Sequence, residues 1–206
     1  MHKGTGFDYY LNWTRTLIAE MNAAISCLHS NAEGLKAAER EQAERIVAGL
    51  REMRDDFGQT VGLQRVTGAA AWTDVRSESK SKWTAFETEL AKNVKTLGEK
   101  AEQHLQAILQ QQAVAQRKAW RDFVGQLNAM AEVLAAKHHA EFRDLLKDLN
   151  ADAEAARRKL KQLCEAGSQS VCAFRSALND TRTAFGKAAE TAQQAFCEAT
   201  TLSPAE

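Results

Sequence analysis

The stretch that decides the fold reads FRSALNDTRTAFGKAAETAQQAF and covers residues 174–196. It places Phe174, Phe185 and Phe196 eleven residues apart, with Leu178 four residues after the first of them. Eleven residues complete three helical turns at about 3.67 residues per turn, so the three rings fall on one stripe of a straight helix. Most side chains between them are small or polar. The stretch therefore predicts a long helix with a slim apolar ridge.

Helix-forming residues also dominate the rest of the chain. Its 206 residues include one proline, and no segment alternates apolar and polar residues as a strand does. The 27 basic and 27 acidic side chains cancel, which argues against nucleic-acid binding and against a polybasic membrane anchor. No apolar run is long enough to span a membrane, and the first residues lack the apolar segment typical of a secretory signal, so we do not expect secretion. We predict an all-α protein located in the cytoplasm.

The first part of the chain predicts a helical hairpin. Apolar residues follow helical spacing from Phe7 to Leu28 and again from Leu35 to Phe57, with a short turn between the two runs. We therefore expect residues 1–57 to form an N-terminal helical hairpin.

A break and a long helical region follow the hairpin. Residues 58–81 contain three glycines with several Ser and Thr, and we interpret them as a linker or hinge. Residues 82–206 are expected to form extended, coiled-coil-like helices. The first of these is either continuous up to about Glu165 or bent near Gly98 or Gly125.

The spacing of Phe174, Leu178 and Phe185, written F-x3-L-x6-F, recurs along the chain with apolar equivalents. The starting positions are separated by 40, 37, 19 and 32 residues, and four of the five copies begin with Phe. Ordinary bundle packing produces the same spacings, so core packing and an external contact stripe are both open. The candidate contact residues are Ile46, Leu50, Phe57, Phe86, Leu90, Leu97, Phe123, Leu127, Leu134, Phe142, Leu146, Phe174, Leu178, Phe185 and Phe196.

These repeats resemble those of the gas-vesicle protein C family, whose units of about 33 residues carry a phenylalanine, a leucine four residues on and a second phenylalanine seven further. The segments TAQQAFCEATT (191–201), LNDTRTAF (178–185) and LREMRDDFGQTVGLQR (50–65) are similar to the family pattern. The resemblance covers about half of the chain. The gaps between copies are irregular, and the family's glutamine-rich joining segments are mostly absent.

The resemblance implies a structural accessory protein that lies along a gas vesicle and stiffens its shell of small hydrophobic subunits. Several weak apolar anchors would then act together through multivalency. Two alternatives need the same amphipathic helices. One is a phasin-like coat on a lipid or polyester granule, and the other is a coiled-coil interaction module that self-associates through its helices. In the first two cases we expect the apolar anchors to face outward.

No residue pattern points to catalysis, so we expect no enzymatic activity, no cofactor and no metal site. His138, His139 and Glu141 lack a further ligand at helical spacing. The basic run RRKLK (157–161) follows Asp152 and Glu154, which supply compensating negative charge. The four cysteines lack C-x-x-C spacing and are interpreted as reduced thiols within helices.

Overall fold

The computed structural model describes residues 5–67, 72–133, 139–165 and 171–201. Within these ranges the chain is helical and contains no strand, which confirms the predicted all-α class. A short 3₁₀ segment, Lys95–Lys100, joins the third helix to the fourth. The helices are α1 (Thr5–Ala32), α2 (Ala37–Thr67), α3 (Trp72–Val94), α4 (Ala101–Val133), α5 (His139–Glu165) and α6 (Val171–Thr201).

The predicted N-terminal hairpin is present, because α1 and α2 pack against each other across a short turn. The Leu35 amide donates a hydrogen bond to the Ala32 carbonyl over 3.1 Å and closes the end of α1. The Arg40 guanidinium donates to the carbonyls of Glu33 and Leu35 at 3.1 and 3.2 Å. These bonds satisfy carbonyls that the end of a helix leaves free.

The predicted linker at 58–81 is wrong over most of its length, because residues 58–67 end α2 and residues 72–81 begin α3. Gly58 and Gly62 lie where an added Cβ would meet nothing within 4 Å. A helical glycine costs about 1 kcal/mol relative to alanine. Burial of the neighbouring Phe57 and Val61 in the core offsets that cost. Residues 68–71 lie outside the described ranges.

The long region after residue 82 folds back on itself and is not extended. The chain changes to 3₁₀ geometry around Gly98, one of the two predicted bends, whereas α4 runs through Gly125 without interruption. Helix α5 packs against α4, and α6 packs against both of them. Helices this long with a single apolar stripe bury that stripe by packing on one another. Residues 166–170, which follow the predicted end of the long helix near Glu165, lie outside the described residues.

Helices α1, α4, α5 and α6 form a four-helix bundle, in which α1 contacts α4 and α6, and α5 contacts α4 and α6. The hairpin of α2 and α3 packs on this bundle mainly through α1. Buried apolar side chains from all six helices form one continuous cluster, so regions 1–57 and 82–206 share a core. Among the described helices, none has the length and apolar character needed to cross a membrane.

Candidate functional site

Most of the candidate contact residues lie inside the protein. Twelve of the fifteen are described with their side chains, and each of these is at most 8 % exposed. Leu134 and the side chains of Phe142 and Phe196 lie outside the described residues. The buried residues are Ile46, Leu50, Phe57, Phe86, Leu90, Leu97, Phe123, Leu127, Leu146, Phe174, Leu178 and Phe185.

The expectation that these side chains face outward is therefore wrong for the closed bundle. Among the described large apolar side chains, only Val114 is exposed, at 50 %. The reason is that the helices fold back on one another, so the apolar stripe of each helix packs against a stripe of another helix in the same chain. Any use of these residues for binding requires that the bundle open.

Three aromatic side chains form the centre of the four-helix bundle. The ring of Phe185 meets Trp120 edge-on at 5.0 Å between centroids and meets Phe123 in a tilted arrangement at 5.3 Å. Trp120 and Phe123 are themselves 6.2 Å apart. Such edge and tilted pairs stabilise a core by about 0.5–1.5 kcal/mol each beyond their buried area. Packing within the chain thus accounts for the positions of Phe123 and Phe185.

A buried ionic network joins three helices beside this aromatic centre. Arg182 of α6 donates to Glu20 of α1 through Nε at 2.7 Å and to Glu87 of α3 through Nη1 at 2.6 Å. The Arg182 guanidinium also lies 4.7 Å from the ring centroid of Trp83, a cation–π contact. The Glu20 side chain is fully buried, and that of Arg182 is 6 % exposed. One positive charge is therefore enclosed between two negative ones.

Burial dominates the electrostatics at Glu20. It raises the pKa of this carboxyl above its ordinary value, although the charge and hydrogen bonds of Arg182 act in the opposite direction. Burial acts to lower the pKa of Arg182, but Glu20 and Glu87 together outweigh it and raise the pKa. The arginine thus keeps its charge, while the Glu20 carboxylate is held where its charged form is less stable than in water.

Polar side chains continue along the inner face of α4. Gln112 and Gln116 are buried, and the Thr181 hydroxyl donates to the Gln116 side-chain oxygen. The amide nitrogens of both glutamines and the indole nitrogen of Trp120 are buried without a hydrogen-bond partner. A buried polar group left unpaired costs about 1–3 kcal/mol. The interior is therefore less favourable than an apolar core of the same size.

This network is not among the residues predicted above, although the sequence carries a signal for it. Arg182 lies four residues after Leu178 and three before Phe185, which places a charge on the apolar stripe of α6. Glu20 lies likewise between Leu17 and Ala24 on the stripe of α1. A charged residue at an apolar position of each of two helices is the pattern that a buried ion pair produces.

The histidines, the basic run RRKLK and the cysteines are the other residues with potential chemistry. In the part of the chain that the structure describes, no group of three or more His, Cys, Asp or Glu side chains could hold a metal ion. His138 and the side chain of His139 lie outside that part. In the basic run, Lys159 pairs with Asp180 at 3.0 Å. Burial raises the pKa of Cys27, which makes its thiol less ready to ionise.

No family model, no curated protein and no solved structure matches the chain.

Proposed function

We propose that the protein coats an apolar surface, in the manner of a phasin on a lipid or polyester granule. It is held as a closed helical bundle, and it opens to lay its amphipathic helices on the granule. The observation that carries this proposal is that all six helices turn their apolar sides into one interior, which also encloses the charges of Glu20 and Arg182. Contact with an apolar surface would therefore use that interior.

The contribution of apolar burial to the free energy is nearly unchanged when such a bundle opens onto an apolar surface. Burial of one Phe or Leu side chain contributes about 1.5–3 kcal/mol, whether the surroundings are other helices or a granule. The backbone hydrogen bonds of a helix lie within that helix and are kept. In water the closed bundle is favoured because opening would expose the same side chains, twelve of which belong to the repeat pattern.

The contribution of the buried polar and charged side chains to the free energy favours the open form on a surface. Glu20 and Arg182 return to water when the helices separate, and their buried charged forms lose the cost of desolvation. The unpaired amide nitrogens of Gln112 and Gln116 gain hydrogen bonds to water in the same step. An interior built in this way lowers the free energy needed to open the bundle where an apolar surface is present.

A gas-vesicle shell is the second candidate surface. It is favoured by the eleven-residue spacing of Phe174 and Phe185 and by the resemblance to the gas-vesicle protein C family. Both rings are buried on the inner side of α6, so attachment to a shell would also require opening. A granule accepts the whole apolar face of each helix, whereas the family pattern uses separate anchors. Burial of the whole face is the reason to place the granule first.

The test measures binding to three purified surfaces. The full chain is mixed with triolein droplets coated with phosphatidylcholine, with polyhydroxybutyrate particles, and with gas vesicles stripped of their outer protein. We expect the chain to accompany the droplets or the particles on centrifugation. On binding, the near-ultraviolet circular dichroism of the packed aromatic rings should be lost, while the far-ultraviolet helical signal is kept.

A carbodiimide cross-link supplies a control for opening. Lys159 of α5 and Asp180 of α6 are 3.0 Å apart, so the reagent can join them by an amide bond that ties the two helices together. The cross-linked chain should no longer bind, whereas a Lys159→Arg variant treated in the same way should keep binding. Binding to none of the surfaces, or binding with the near-ultraviolet signal intact, would overturn the proposal. Binding only to gas vesicles would favour the shell.

A further inference from the structure

Helix α3 lies at the margin of the bundle. Among the described residues it packs along α2, approaches α1 and α4 at only a few positions, and has no more than isolated backbone contacts with α6. The side chain of Arg182 nevertheless reaches from α6 to Glu87 and to the ring of Trp83, both on α3. The Arg182 side chain thus bridges the backbones of α6 and α3, beside the buried apolar side chains that α3 adds to the shared core.

The polar contacts between α3 and α2 are separate from this network. Lys82 of α3 forms an ion pair with Asp56 of α2 at 2.8 Å and donates to the Thr60 hydroxyl at 2.6 Å. The hydrogen bond to Asp56 raises the pKa of Lys82, so the ammonium group of Lys82 stays charged throughout the neutral range. These contacts hold α3 to its hairpin partner whether or not Arg182 is engaged.

We infer that Arg182 is a latch that holds α3 on the four-helix bundle, and that its release from Glu87 is the first step of opening. The inference rests on the proposed function for its biological meaning, but the latch itself is a property of the free protein. Glu87 is the exposed end of the network, with 28 % of its side chain accessible, whereas Glu20 is sealed behind Arg182. Water can therefore compete for Arg182 at Glu87 before it reaches Glu20.

The test reports on α3 and on the four-helix bundle separately. A single thiol is placed by Ser79→Cys on α3 or by Ala113→Cys on α4, both at positions with no exposed area. Its rate of reaction with a soluble maleimide measures how often that position opens. The latch is broken by Glu87→Ala, and Glu89→Ala on the same helix is the matched control. The native thiols are first replaced by serine at Cys27, Cys164, Cys172 and Cys197.

We expect Glu87→Ala to raise the labelling rate at position 79 by roughly tenfold or more, the effect of losing one charged hydrogen bond. The rate at position 113 should stay within about twofold, and Glu89→Ala should change neither. An unchanged rate at position 79, or an equal rise at both positions, would overturn the latch. The outcome does not depend on surface binding, so the latch can hold even if no granule or shell binds the chain.

Discussion

Replacement of Phe185 by alanine tests whether the repeat phenylalanines are core residues in the free protein. The Phe185 side chain is 1 % exposed and contacts the rings of both Trp120 and Phe123. Removal of a buried phenylalanine costs about 3–5 kcal/mol, through lost apolar burial and the cavity that remains. Domains commonly have a free energy of unfolding of about 5–15 kcal/mol. We therefore expect Phe185→Ala to remove about a fifth or more of the free energy of unfolding.

The assay is urea unfolding followed by tryptophan fluorescence, since Trp120 lies in the perturbed cluster. At a loss of about 3–5 kcal/mol, a chain of this size should also show a melting temperature lower by roughly 6–20 °C. Val114→Ala removes an apolar side chain that is 50 % exposed and should change the stability by less than about 0.5 kcal/mol. If Phe185→Ala left both the midpoint and the melting temperature unchanged, the phenylalanine would be an external anchor and the packing argument would be refuted.

Three further predictions concern the ionic network and the helices. Arg182→Met leaves Glu20 buried without its counter-charge and should lower the free energy of unfolding, measured by urea titration, by about 3–5 kcal/mol. The double variant Arg182→Met, Glu20→Leu should recover most of that loss. Equal losses in the single and double variants would show that the ion pair is not the cause. Burial raises the folded-state pKa of Glu20 above its ordinary value of about 4.5, so the folded chain binds more protons there than the unfolded chain. The stability from this group is complete below the unfolded pKa and is lost as pH rises through the folded pKa. Relative to Glu20→Gln, the wild type should therefore gain stability as pH falls from 7 towards 4.5, and a loss would contradict the dominance of burial. Gly125→Ala, at an exposed helical position with nothing within 4 Å of the added Cβ, should raise the free energy of unfolding by about 0.5–1 kcal/mol; a decrease in the urea midpoint would contradict this.

Sequence patterns predicted the fold class and several helix ends well. The helical spacing of apolar residues and the shortage of proline predict an all-α chain, and the gap between the apolar runs that end at Leu28 and begin at Leu35 predicts the turn after α1. The glycines at 58–81 predict a linker, because local propensity alone favours a break in the helix there. Residues 58–67 are helical because Phe57 and Val61 are buried in the core. The sequence alone does not show such tertiary contacts.

Periodicity does not predict whether an apolar stripe packs against another helix of the chain or against an external surface. Phe174 and Phe185 have the same spacing whether they face a shell or another helix of the chain. The structure places them inside because α6 has α1, α4 and α5 as neighbours. The partnership of Glu20 with Arg182 spans 162 residues, and no local rule connects residues so far apart.

The most direct measurement asks whether a core side chain reaches the apolar phase. Trp120 is fully buried in the closed bundle. A variant with Trp13→Phe, Trp72→Phe and Trp83→Phe keeps it as the sole tryptophan, and brominated acyl chains in the phosphatidylcholine coat of triolein droplets quench an indole that contacts them. We predict quenching of Trp120 on droplets, with helix content retained. Droplet-bound protein whose Trp120 emission is not quenched would contradict the proposal that the bundle opens.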